Sequence, residues 1–228
     1  MSKSHNPKEE EKNIVKVEEA LGRSERFIEK NYKIIIGTVA AIVLIIAVFI
    51  GYTRFVLTPR ETDARAEMFM AEIYFSQDSL QLALEGDGVY PGFLDIISDY
   101  RFTSSANLAR YYAGVIFLRQ GLFEDAIENL KKFRGRDQLV TAMAYGAIGD
   151  AYLELENLER AARYYRKAYK HRPNDLTTPL YLFRAGLVYE KMEEPAKALE
   201  LYNRIRDEFP NSAEGQNIER FIGRVSVQ

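Results

Sequence analysis

The stretch "AYGAIGDAYLELENLERAARYYRKAYKHRP", residues 144–173, reads as helix almost throughout, yet Gly146 and Gly149 sit inside its first half. Gly costs about 1 kcal/mol relative to Ala in a helix interior. Something in the fold must need the missing side chains. Small residues elsewhere in the chain repeat the pattern. Gly149, Tyr152, Ala161, Ala168 and Pro173 share their spacing with Gly186, Tyr189, Ala198, Ile205 and Pro210. Gly114, Phe117, Ala126 and Phe133 match without the final Pro, and Ala71, Tyr74 and Ala83 form a weaker copy. The recurring glycine is thus followed each time by a second small residue 12 positions on.

This pattern resembles the tetratricopeptide repeat, whose helix–turn–helix unit of about 34 residues places small residues where its helices meet and closes on a Pro. The resemblance implies an all-α fold. We expect a solenoid of about four helix pairs, with repeats near 64–84, 107–138, 142–174 and 179–211. The segment "NSAEGQNIERFIGRVSVQ" is expected to cap it as a final helix. Gly146 falls on the inner face and is expected to open room there. The departures are specific. The family's Trp is replaced by Glu67, Arg110, Tyr145 and Leu182, and the residue before the second helix is Gly only at Gly121. An insertion, 85–106, holds Gly86, Gly88, Pro91 and Gly92 and a short helix Phe93–Tyr100. It lacks the Lys-Ser/Thr of a phosphate loop and follows no strand.

Ahead of the repeat domain, 60–228, lies "IIIGTVAAIVLIIAVFIGYT", an uncharged run over 34–53 between Lys33 and Arg54. At about 1.5 Å per residue it spans roughly 30 Å, a bilayer core. Tyr32, Tyr52 and Phe55 flank it as interfacial aromatics, so a single transmembrane helix is expected over 32–55. A signal peptide has a shorter charged lead and a small-residue cleavage site, neither of which is present. Residues 1–13 are polar and charge-dense and read as a disordered cytoplasmic tail. Over 14–31, Ile14, Val17, Leu21 and Ile28 recur at helical spacing, as in an amphipathic juxtamembrane helix. Lys16, Arg23, Arg26, Lys30 and Lys33 precede the span, against Arg54, Arg60 and Arg65 after it, which favours a cytoplasmic N-terminus. In a bacterium the anchor would cross the inner membrane and the repeats would lie in the periplasm. Within the span, Gly37 with Ala41 and Ala47 with Gly51 are small-xxx-small pairs that suit helix packing.

Chemistry is sparse. The 228 residues include no Cys and two His, His5 and His171, which leaves little material for a metal site or a His-based triad. The formal net charge is −2, without the basic excess of a nucleic-acid binder. Asp95 and Asp99 lie four apart on a helix and read as a solvated face. No catalytic residue, metal or cofactor is assigned. What remains is the face lined by the first helix of each pair. By repeat position it presents Met68, Glu72, Tyr111, Val115, Arg119, Asp150, Phe183, Leu187 and Lys191 to a peptide partner, although burial between repeats competes for each of them. The Lys and Asn clamp of repeat proteins that grip chaperone C-termini is missing: its places hold Tyr111, Gly146 and Phe183, then Val115, Asp150 and Leu187.

The layout as a whole resembles membrane-anchored tetratricopeptide proteins related to the ancillary subunit of the bacterial Sec translocon. The resemblance rests on "FIEKN" before the anchor and on "AEIYF", "YYAG" and "AYGAIGDAY" in the repeats. It implies a non-enzymatic adaptor inserted in the membrane beside the translocon, passing exported polypeptides to periplasmic chaperones. The competing reading is a scaffold subunit of another envelope complex, for division, lipoprotein transport or outer-membrane secretion.

Overall fold

The computed structural model describes the backbone of residues 7–226 and the side chains of residues 29–226. Two compact units divide the chain, residues 1–58 and 59–228.

In the first unit, helix α1 runs Pro7–Tyr52 and passes into a π-helical turn, Thr53–Leu57. The backbone is thus helical from Pro7, where a disordered tail over 1–13 was expected; residues 1–6, and the side chains of the expected amphipathic stripe through Ile28, lie outside the described residues. No side chain of 34–53 is buried, and Ile34 and Phe49 are 70% and 66% exposed. A helix apolar on every side and unburied is long and apolar enough to cross a membrane. Its threonine hydroxyls are satisfied internally: Thr38 donates to the Ile34 carbonyl at 2.8 Å and Thr53 to that of Ile50 at 2.9 Å. That is what a hydrocarbon surrounding demands of a polar group.

Among the described residues the second unit is all helix apart from turns, short irregular connections and one isolated bridge, Gly86 to Pro91. Helices α2 (Thr58–Ser76) and α3 (Leu80–Glu85) form the first pair, and α4 (Phe93–Asp99) occupies the insertion. Three full pairs follow: α5 (Ser104–Arg119) with α6 (Phe123–Lys132), α7 (Leu139–Glu154) with α8 (Leu158–Lys170), and α9 (Thr177–Lys191) with α10 (Pro195–Glu208). The single-turn 3₁₀ segment Gly215–Asn217 leads into α11 (Ile218–Ser226), the expected final short helix. The second pair begins at Ser104, three residues before the expected start, because the Thr103 hydroxyl caps the Ala106 amide at 3.0 Å.

Each pair reverses direction through the same turn. Asp78, Gly121, Glu156 and Glu193 adopt φ of 60°, 77°, 56° and 59°. The next amide in each case bonds back to Tyr74, Phe117, Tyr152 or Tyr189 at 2.8–2.9 Å. This is the left-handed helix ending that usually selects Gly. Only the second pair uses one.

The glycines of the opening stretch are explained by what faces them. A Cβ on Gly149 would lie 2.7 Å from the ring of Tyr165, one on Gly186 2.3 Å from Tyr202, and one on Gly114 2.5 Å from Leu130. Each glycine admits the large side chain found 16 residues later on the second helix of its own pair. Gly146 does not open the inner face as expected. It is buried, and its space holds the Tyr181 ring from the next pair, 2.1 Å from where a Cβ would sit. The core follows as two clusters, one around Phe93, Ile96 and Ile116, the other running from Ile127 to Val225.

Candidate functional site: the inner face of the repeat stack

Among the helix pairs, α5 touches α7 and α7 touches α9, with no comparable contact joining α6, α8 and α10. The first helices therefore crowd one side of the stack and the second helices spread over the other. The crowded side is the inner face, and it is where the sequence placed its candidate residues.

Two of those candidates form the apolar part. Phe183 is half-buried, with its ring edge-on to Phe221 at 4.7 Å between centroids. Leu187 is 37% exposed. Together with Leu180, Arg184 and residues of α11 they border a groove of about 600 Å³. Tyr111 and Val115 are half-buried farther along the face. Tyr111 packs against Phe133 at 5.6 Å, and burial raises its phenol pKa above the usual value. Lys191 is exposed at the end of α9.

The remaining candidates are partly or wholly engaged. Met68 is 4% exposed and packs in the first core cluster; the helical stripe of Ala64, Met68 and Ala71 faces inward, so it is a core residue and offers nothing to a partner. Glu72 faces Tyr112, whose pKa is raised first by burial and then by this carboxylate. Arg119 is exposed but pairs with Asp78 at 2.8 Å, tying α5 to the first turn.

Asp150 is the most altered by its surroundings. It accepts a hydrogen bond from Tyr165 at 2.7 Å and forms an ion pair with Arg184. One pair later, Glu190 accepts from the Tyr202 hydroxyl and takes Arg224 at 2.7 Å. The same tripod thus recurs. A tyrosine on the second helix, a carboxylate on the first and an arginine 34 residues after that carboxylate join three helices. Burial pushes the Tyr165 phenol far up, and the Asp150 charge and hydrogen bond push it further, against partial opposition from Arg184. Tyr202 behaves likewise, with burial first and Glu190 next. Sequence reasoning missed both tripods. Their one legible sign was the 34-residue spacing of Asp150 to Arg184 and of Glu190 to Arg224. His171 uses that interval too, its Nε2 lying 2.9 Å from the Asp137 carbonyl oxygen.

Neither acidic candidate forms a catalytic pair. Asp95 accepts from the Gly92 amide at 3.1 Å and caps α4, while Asp99 accepts from Ser98 at 2.7 Å. Among the described residues no group of His and carboxylates is arranged to hold a metal ion.

A stack of antiparallel helix pairs, stitched between neighbours and open along its inner face, defines a helical-repeat interaction scaffold. The comparisons agree. The tetratricopeptide repeat family model matches residues 111–175 and 147–213, so this part of the chain carries tetratricopeptide repeats. The chain is also similar to the uncharacterized protein ycf37 of Guillardia theta, 36% identical over 99 residues, which are 42% of this chain and 54% of that protein. The match spans about half the length of that relative.

Proposed function

We propose that the chain is a membrane-anchored adaptor that binds a polypeptide partner along the inner face of its repeats. The observation that carries this reading is the apolar row on that face. Phe183 and Leu187 remain partly exposed beside an open groove of about 600 Å³, and Val115 is partly exposed farther along the same face. Partly exposed aromatic and aliphatic side chains in a concave setting suit an extended or helical peptide. The run 34–53 supplies the anchor. Gly37 and Gly51 have nothing within 4 Å, which leaves their faces free to approach a neighbouring membrane helix.

The finer reading follows the resemblance of the layout. The anchor would sit in a bacterial inner membrane with the N-terminus cytoplasmic and the repeats periplasmic, beside the Sec translocon, where the inner face would receive exported polypeptides or their chaperones. One observation favours the alternative, a scaffold for another envelope complex. The two tripods lock α7 to α11 together, and a stiff surface suits a fixed folded partner better than a varied stream of clients.

The test is affinity capture of the full chain from mildly solubilised native membranes, with three variants. Replacing 34–53 by an unrelated apolar span should abolish recovery of translocon subunits if the adaptor reading holds. Recovery of a different complex, indifferent to the span, would favour the scaffold. Leu187→Glu places a charge on an exposed apolar site and should reduce partner recovery at unchanged thermal stability. Full recovery with Leu187→Glu and with Val115→Glu would refute the inner face as the contact.

A further inference from the structure

The outer side of the stack carries charge that the adaptor reading leaves unused. Residues 158–172 contain six Lys and Arg against Glu159 alone, and 131–136 contain four with no carboxylate. On α8, Arg160, Arg163, Lys167 and Lys170 recur at i, i+3, i+7 and i+10, one stripe of the helix, and all four are exposed. None of them forms an ion pair among the described residues. Lys131 at the end of α6 joins them without one.

Tyrosines bring the two helices' cations together. Lys131 Nζ lies 5.3 Å from the Tyr152 ring centre and 6.0 Å from that of Tyr164; Arg160 lies 5.3 Å from Tyr152; Lys167 lies 4.5 Å from Tyr164 and 5.8 Å from Tyr145. Lys131 also donates to the Tyr152 hydroxyl at 2.8 Å. The field of these cations reaches the phenol. Burial works to raise the Tyr152 pKa, yet hydrogen bonds and charge from Lys131 and Arg160 bring it below the usual value. Rings under cations hold like charges side by side without a neutralising carboxylate.

We propose that this outer face, formed by the end of α6 and by α8, docks on anionic phospholipid headgroups. An extended stripe of cations matches a sheet of phosphates, which offers charge everywhere and demands no fixed spacing. Tyrosine is a residue of membrane–water interfaces. A span in the same chain holds the repeats within reach of lipid, so individually weak attractions act at high effective concentration; in this respect the inference rests on the anchor reading. Charge elsewhere in the unit gives the contact a direction. Residues 61–99 carry nine carboxylates against Arg65 alone, so the attraction to an anionic surface lies with α8 and the end of α6 and not with that segment.

The test places the full chain in nanodiscs of phosphatidylcholine alone or with phosphatidylglycerol at about 3:1, and reads lysine labelling by an amine-reactive reagent with mass spectrometry. Lys131, Lys167 and Lys170 should be labelled roughly fivefold less on the anionic discs, with Lys191 and Lys197 unchanged, and about 0.5 M salt should restore labelling. The double variant Arg160→Glu, Arg163→Glu alters only exposed positions and should lose the protection with its helical circular dichroism intact. Equal labelling on both discs overturns the proposal, as does protection that survives the double variant. Protection that is the same on neutral discs and grows with protein concentration would assign the face to the acidic segment of a second copy and also overturn it. A chain that fails to enter discs refutes the anchor but leaves this question open to the same comparison with added vesicles. Protection by anionic vesicles then supports lipid docking, and its absence overturns it.

Discussion

Gly149→Ala measures the helix contact that sets the fold. The change offers about 1 kcal/mol in helix propensity. Against it stands the new Cβ, 2.7 Å from both Cδ1 and Cε1 of Tyr165. Carbon atoms at ease sit about 3.5–4.0 Å apart, so the ring or its helix must move by roughly 1 Å. The ring has little freedom to do so. It stacks on Tyr181 with centroids 6.2 Å apart, and its hydroxyl is held by Asp150 at 2.7 Å. Overpacking of this kind costs about 1–3 kcal/mol, which leaves Gly149→Ala destabilised by about 1 kcal/mol and Gly149→Leu by about 3 kcal/mol or more. For a unit of this size each kcal/mol moves the melting temperature by about 2–4 °C. Gly223 supplies the control. It follows Gly186 by the same 37 residues that separate Gly186 from Gly149, it lies inside α11, and nothing approaches within 4 Å of its Cβ position. Gly223→Ala should therefore raise the melting temperature by about 2–4 °C, since propensity acts there unopposed. Thermal melts followed by far-UV circular dichroism decide the matter. A wild-type melting temperature for Gly149→Leu, or equal shifts for Gly149→Ala and Gly223→Ala, would refute the close approach.

Three further outcomes are expected. Glu156 holds a left-handed turn with φ 56°, so Glu156→Gly relieves backbone strain and should stabilise by about 0.5–1 kcal/mol; a loss in urea unfolding would count against the turn assignment. Glu61 accepts from the Ser104 and Ser105 amides and from the Ser105 hydroxyl at 2.8 Å, and Glu61→Ala should cost about 1–2 kcal/mol by uncapping α5, seen as faster amide exchange over 104–107. Tyr165, Tyr181 and Tyr202 have pKa values raised above 10, chiefly by burial, so the native state resists losing protons that the unfolded chain gives up. Their contribution is complete below about pH 10 and is lost as pH climbs toward the folded values. Urea midpoints should hold from about pH 8 to 9.5 and fall by about pH 11, in step with tyrosinate absorbance; a flat profile would contradict the burial of these phenols.

The sequence by itself determined what depends on local spacing. Helical period, the recurrence of Gly149 and Gly186 with their partners Ala161 and Ala198, and the unbroken apolar run 34–53 fixed an all-helical chain of stacked pairs behind one apolar helix. These signals lie within about one repeat, where 3.6 residues per turn dictates which side chains share a face. The inner face was legible only as a set of positions. That Met68 is sealed in the core, that Tyr181 fills the space left by Gly146, and that Asp150 is taken by Tyr165 and Arg184 depends on how one pair settles on the next. Packing between pairs is set by the volume of facing side chains, which no single helix carries. The turns show the same division. A left-handed residue is required at Glu156 and Glu193 whether or not it is Gly, because the helices around it are already held by their contacts. The cations over Tyr152 and Tyr164 come from residues as far apart as Lys131 and Lys167, and only the packing of α6 and of α8 on α7 brought them to one surface.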